Sequence, residues 1–220
     1  DDEIVRLASC FAELGFSRIR LTGGEPLVRA GLPGLVSRLA GLPGVEDLSL
    51  STNGILLAGM AESLAAAGLN RINVSLDTLD PGRFKELARF GRLEDVLEGI
   101  DAALAAGLKP LKINMVVARG SNEDEVSVLA AMTDRRPVHV RFIELMPMGE
   151  TGFFSPARLV PMSEIMERAG PSLEAVSDEE RPTGGGPARY FKRPGAIGTI
   201  GIISAMTCGF CADCSRVRLS

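Results

Sequence analysis

Apolar and polar positions along this chain recur as one unit: an Ala/Leu-rich helical stretch, a glycine, a short link, then a run of Ile, Val and Leu with strand character. The unit is seen as Ala12-Glu13-Leu14-Gly15 before 17–21, Ala66-Ala67-Gly68-Leu69 before 72–76, and Ala105-Ala106-Gly107-Leu108 before 111–117. Gly41 to Gly44 plays the same part before 48–51, and 138–145 adds a fifth strand. A glycine after a helix accepts the left-handed conformation that ends it, so each one predicts a helix stop. Helices of about 10 to 15 residues alternating with short strands predict right-handed βαβ crossovers and a parallel sheet, an α/β fold.

From Gly149 the alternation decays through Pro156, Pro161, a short helical pattern over 163–169 and an acidic, then Gly/Pro-rich stretch over 177–187. Strand patterns return at 189–192 and 197–203. This predicts a change of module, with a small β extension over 149–220 that delivers a cluster of cysteines. The run Thr183-Gly184-Gly185-Gly186 lacks the Lys-Ser/Thr successor and the helix of a phosphate loop, and reads as a plain loop.

Composition narrows the class. With 220 residues, 45% of them apolar and 24% charged, the chain can bury a substantial core. A net charge of −4 and an aromatic content of 5% argue against nucleic acid as a partner. Charged residues interrupt every apolar run before it reaches the roughly 18 residues of a membrane span, so no membrane role is expected.

Two segments carry candidate chemistry. In Arg20-Leu21-Thr22-Gly23-Gly24-Glu25-Pro26, a strand ends in two glycines, a carboxylate and a proline. Adjacent glycines bare the main chain to a ligand, Pro26 sets the turn away, and Glu25 can accept from an amine. In Cys208-Gly209-Phe210-Cys211-Ala212-Asp213-Cys214-Ser215-Arg216-Val217-Arg218-Leu219, three thiols fall within seven residues, followed by arginines at alternate positions. Soft sulfur donors three apart select an iron–sulfur cluster or zinc over hard cations. A disulfide fits less well, since Cys-x-x-Cys is short for a structural bridge and no secretory leader is legible; clustered free thiols suit a reducing cytoplasm. The fourth cysteine, Cys10, lies on a predicted helix and is expected in the core.

Together these segments resemble the radical S-adenosylmethionine (SAM) enzymes of molybdenum cofactor biosynthesis, the GTP 3′,8-cyclase family. The resemblance covers essentially the whole chain. It continues through Ser51-Thr52-Asn53-Gly54, Arg71-Ile72-Asn73-Val74-Ser75-Leu76-Asp77, Lys112-Ile113-Asn114 and Arg141-Phe142-Ile143-Glu144-Leu145-Met146, in the family's order. It implies a partial (βα) barrel of the radical SAM type over residues 1–148, with the C-terminal extension over 149–220. It also implies a lyase that converts GTP to (8S)-3′,8-cyclo-7,8-dihydroguanosine 5′-triphosphate by means of SAM and two [4Fe-4S] clusters. A homodimer is implied, with the product passing to cyclic pyranopterin monophosphate synthase. Carried over residue by residue, the SAM contacts fall on Gly23, Gly24, Glu25, Ser75 and Met146. The GTP contacts fall on Arg18, Arg20, Ser51, Lys112, Arg141, Arg216, Val217 and Arg218. Cys211 and Cys214 would hold the second cluster, with Cys208 a bystander.

The family's first-cluster motif, Cys-x3-Cys-x2-Cys, is absent, so the chain reads as a fragment without the first strand and cluster loop, and alone is expected to be inactive. Two other functions stay open on the residues themselves: a radical SAM enzyme acting on a peptide, and a non-catalytic binding module with a metal knuckle. Among single residues, His139 in its apolar strand reads as structural and Glu144 as core-facing or site-lining. Asp80-Pro81 marks a helix start, with Asp77 as a second capping candidate.

Overall fold

The predicted alternation is the observed one. In the computed structural model, which describes all residues except 89, 148–153, 185, 205, 208–216 and 220, the chain divides into two compact units. The first comprises Asp1–Leu76 and Asp80–Lys112, the second Asp77–Leu79 and Ile113–Ser220.

The first unit runs α1 (Asp2–Glu13), β1 (Arg18–Leu21), α2 (Leu32–Ala40), β2 (Asp47–Thr52), α3 (Ala61–Ala66), β3 (Arg71–Ser75), α4 (Pro81–Ala88) and α5 (Leu93–Ala105). Strands β1, β2 and β3 are parallel neighbours. Their apolar side packs on the helices. Leu48, Leu50, Ile72 and Val74 are buried with Leu35, Val36 and Leu39 of α2, Leu64 of α3, and Val96 and Ile100 of α5. The glycine stops work as anticipated: Gly68 follows α3 at φ 98° and Gly107 follows α5 at φ 81°, a left-handed conformation that favours glycine. Beyond α2 the left-handed residue is Gly44, while Gly41 stays right-handed as the C-cap. Several helices fall short of the expected length, α3 being 6 residues and α4 8, because turns at 55–60 and a bend at 90–91 take up part of each crossover. Asp80 caps α4, its carboxylate accepting from the Arg83 N–H at 2.7 Å.

Helix α1 buries none of its residues, and the expectation for Cys10 is overturned: its thiol is free and exposed. Glu3, Arg6 and Glu13 surround the apolar positions of that helix, and apolar content alone does not say that a face is covered.

The second unit contains the body of β4 (Leu111–Val117), then α6 (Val126–Arg135), β5 (Val138–Glu144), α7 (Met162–Ala169), β6 (Glu174–Ala175), β7 (Arg189–Lys192) and β8 (Thr199–Ile203). The strand order is β4-β5-β8-β7-β6. Strand β8 lies parallel to β5, with Arg141 opposite Gly201, and antiparallel to β7, so the C-terminal strands continue the sheet of this unit. Its core joins Met115, Val117, Val140, Phe142, Ile200 and Ile202 to Leu129 of α6 and Ile165 of α7. Among the described residues, no helix is long and apolar enough to cross a membrane.

Candidate active site

Side chains on a strand alternate between its two faces, and paired residues of parallel strands share a face. Register therefore sorts the first unit. Arg20 pairs with Ser49 and Ser49 with Arg71; Arg18 pairs with Asp47, and Ser51 with Asn73. Arg18, Arg20, Asp47, Ser49, Ser51, Arg71, Asn73 and Ser75 thus occupy one face, opposite the apolar residues that meet the helices. Parallel strands are ordinarily apolar on both sides, so this polar row is the anomaly that marks a site. Within it, Arg20 Nε donates to Ser49 Oγ at 3.4 Å, and Arg71 forms a two-point ion pair with Asp47 at 2.6 and 2.5 Å. Arg18 and Arg20 are exposed, Ser51 is half-buried and Ser75 lies exposed at its strand end. Lys112 is only 1% exposed, whereas a strand lysine usually faces water. Sequence reasoning missed Asp47, Ser49, Arg71 and Asn73 as members of this face. The period-2 spacing of Asp47, Ser49 and Ser51, and of Arg71, Asn73 and Ser75, is the signal that could have found them.

The loops after β1 and β2 meet through Glu25. Its Oε1 accepts from Leu27 N–H at 3.0 Å and Thr52 Oγ1 at 2.6 Å, and its Oε2 from Asn53 N–H at 2.7 Å. A carboxylate offers about four acceptor positions, so one more donor can be received. A Cβ added at Gly23 or Gly24 would meet nothing within 4 Å, so open space lies beside a bare main chain, and a ligand with its own donors and acceptors fits there.

In the second unit, Arg141 Nε donates to Asn114 Oδ1 at 2.7 Å, and both strand residues are largely withdrawn from solvent. Arg141 has its room because residue 201 is glycine: a Cβ there would lie 2.9 Å from Arg141 Cγ and 3.0 Å from the Tyr190 ring. His139 Nδ1 lies 2.8 Å from Thr199 Oγ1, in agreement with its structural reading. Met146 is half-buried just past β5.

Asp77 corrects an expectation. It does not cap α4; its Oδ1 accepts from Val116 N–H at 2.8 Å, while Asn122 Nδ2 donates to its carbonyl at 2.8 Å. Burial raises the Asp77 carboxyl above its ordinary value of 3.8, and the Val116 hydrogen bond offsets only part of that. A carboxyl raised by folding makes the native state less stable wherever it must be ionised. Asp77→Asn keeps an acceptor for Val116 without the charge. It is expected to raise the thermal midpoint at pH 7, the gain vanishing once the pH falls below 3.8, where the parent carboxyl is neutral in both states. A variant less stable than the parent at pH 7 would show that the charge itself is used.

Cys208, Cys211, Cys214 and Arg216 lie outside the described residues, whereas Val217 and Arg218 are described and exposed. Three thiols within seven residues remain a donor set whose chemistry fits an iron–sulfur cluster. Among the described residues, no group of three or more His, Cys, Asp or Glu side chains could hold a metal.

Residues 1–132 match the Radical SAM superfamily model, and residues 138–220 match Molybdenum Cofactor Synthesis C. A GTP 3′,8-cyclase from Pelotomaculum thermopropionicum is 48% identical over 219 residues, 100% of this chain and 67% of that protein. One from Gloeobacter violaceus is 51% identical over 214 residues, 96% of this chain and 64% of that protein. A radical SAM methyltransferase from Sphaerobacter thermophilus has the same fold at a TM-score of 0.57 and 18% identity, over 76% of this chain and 51% of that one. The superfamily implies a [4Fe-4S] cluster and SAM as cofactors. With its parallel α/β strands, its glycine turn after β1 and relatives of this identity, the chain belongs to the radical SAM superfamily and, within it, to the GTP 3′,8-cyclase family.

Proposed function

We propose that this chain binds GTP and SAM and serves the 3′,8-cyclisation of GTP in molybdenum cofactor biosynthesis. The polar face of β1, β2 and β3 carries the reading: it presents arginines and hydroxyls where a parallel sheet normally presents apolar side chains. A nucleoside triphosphate suits that chemistry. Arg18, Arg20 and Arg141 offer planar forks for phosphate oxygens, Lys112 a compact charge and Ser51 a hydroxyl, with Arg216, Arg218 and the Val217 main chain completing the set. Gly23 and Gly24 present main-chain groups to the amino-acid end of SAM, Glu25 uses its remaining acceptor position for the ammonium, and Ser75 and Met146 contact the rest. Cys211 and Cys214 hold the second of two clusters. When bound, this cluster and SAM, together with the first cluster whose Cys-x3-Cys-x2-Cys motif is not among these 220 residues, would supply the one-electron chemistry that joins ribose C3′ to guanine C8. The residues orient GTP and keep water away from it.

Residues 1–148 would act as the radical SAM module and 149–220 as the extension that brings the second cluster. The same resemblance carries a cytoplasmic homodimer that passes its product to cyclic pyranopterin monophosphate synthase.

Arg218→Ala tests the reading. Losing one charge-assisted contact of about 1.5–3 kcal/mol should weaken GTP binding about 10- to 100-fold and guanosine binding by less than about twofold. Anaerobic calorimetric titration of the iron-reconstituted chain measures both. An equal loss for the two ligands would remove Arg218 from the phosphate set, and no GTP binding by the reconstituted parent would overturn the proposal.

A further inference from the structure

The Glu144 carboxylate ends β5 fully buried and receives four hydrogen bonds, all from neutral donors. Oε1 accepts from Met162 N–H, where α7 begins, at 2.8 Å and from Thr207 Oγ1 at 2.5 Å. Oε2 accepts from Met206 N–H at 2.8 Å and Thr207 N–H at 3.0 Å. Burial opposes the charge more than any single contact favours it, yet the four bonds together hold the Glu144 carboxyl below the ordinary carboxylate range. A buried anion without a cation among these donors is a costly way to fill a core position, and what it gains is orientation of the groups that donate to it.

Those groups have a particular place in the chain. The ladder between β5 and β8 pairs Ile143 with Ile203, so Glu144 stands one step beyond the last paired residue. Met206 and Thr207 lie just past β8 and directly before Cys208. Three of the four bonds go to these two residues, 62 and 63 positions away in sequence. The carboxylate extends the β5–β8 ladder by a side chain and sets the direction in which the chain leaves it.

We propose that Glu144 is the positioning residue of the C-terminal cysteine segment: it clamps the main chain at Met206-Thr207, so that the thiols after it start from a fixed point. This rests on the reading of that segment as a cluster-holding loop. Met146, two residues past Glu144, leaves from the same strand end, so the start of both segments is set at one place.

Glu144→Gln separates this role from core filling. The Thr207 hydroxyl can accept as well as donate, so the glutamine turns its NH₂ toward Thr207 Oγ1 and Met162 N–H; it releases Met162 N–H and keeps only neutral, weaker bonds to Met206 N–H and Thr207 N–H. The experiment uses the metal-free, reduced 220-residue chain, measuring amide hydrogen exchange together with alkylation rates of each cysteine by peptide mass spectrometry. Exchange at Met162 is expected to speed up about tenfold, the equivalent of one net hydrogen bond, and exchange at Met206 and Thr207 severalfold, as charge-assisted bonds become neutral ones. Alkylation of Cys208, Cys211 and Cys214 should rise severalfold, while exposed Cys10 and the amides of β5 and β8 stay unchanged.

Thr207→Val, which removes only the hydroxyl bond at an exposed position, should shift the same readouts less, and Thr207→Ser should restore them. It decides the matter if Glu144→Gln does not fold. Unchanged rates in both variants, or β5 and β8 amides accelerating in step with 206–207, would overturn the proposal by making Glu144 an ordinary core residue. Iron uptake by the parent is read separately. If the parent takes up no iron, the cluster reading fails while the exchange data still decide what Glu144 does.

Discussion

Gly198→Ala is expected to cost the second unit at least about 3 kcal/mol, the range reserved for changes that force backbone apart. Gly198 lies just before β8, its N–H donating to the Thr133 carbonyl at 2.8 Å. A Cβ there would overlap the Val138 carbonyl oxygen and lie 3.1 Å from that of Arg136. Both obstacles are main chain, so no rotamer change relieves the contact. Relief requires the starts of β5 and β8 to separate, which breaks the register of His139 with Thr199 and of Val140 with Ile200. Gly195→Ala is the control. It sits three residues away at φ 75° with open space around it, and pays only the strain of a left-handed alanine, about 1 kcal/mol. Urea unfolding of both variants measures the difference. Equal midpoints would mean that the β5–β8 junction yields and that Gly198 is not required.

Replacing Cys211 and Cys214 together with serine is expected to reduce the iron held by the reconstituted chain to background. The 220 residues contain four cysteines, and Cys10 stands alone on α1, so the thiols of 208–214 carry whatever iron–sulfur cluster this chain assembles. Serine is a hard donor that stays protonated near neutral pH, and it cannot replace a thiolate on iron. Cys208→Ser and Cys10→Ser should each leave the iron content intact. Iron assay and the visible absorption of the cluster measure all three. Iron retained by the double variant would reassign the ligands, and iron lost on Cys208→Ser alone would make that residue a ligand too.

Much of the fold was legible because it is written locally. Strands β4 and β7 coincide with their predicted ranges, the other predicted strands agree within two residues, the two-residue β6 was missed, and Gly68 and Gly107 stop their helices as glycine's left-handed freedom predicts. The glycine pair with Glu25, the clustered thiols and the arginines after them were legible for the same reason: each signal lies within a dozen residues. Partnership across long separations was not legible. The sequence marked Glu25 as an acceptor but could not say that Thr52 and Asn53 would occupy it, nor that Asp77 would turn to Val116 and leave capping to Asp80. Cys10 was misplaced because an apolar neighbourhood on a helix does not specify what, if anything, covers it.

By itself, the sequence determined element type, element order and the chemical kinds of group available, since 2.0 and 3.6 residue periods, glycine conformation and thiol spacing are properties of short stretches. Only tertiary structure decided which of those groups share a face and which are spent on one another. Strand register set Arg18, Arg20, Ser51 and Ser75 in a single polar row with the Arg71–Asp47 pair, and carried Glu144 to Met206 and Thr207. Register is a global quantity: a one-residue slip exchanges the two faces, and what prevents it is the burial of the whole apolar side at once.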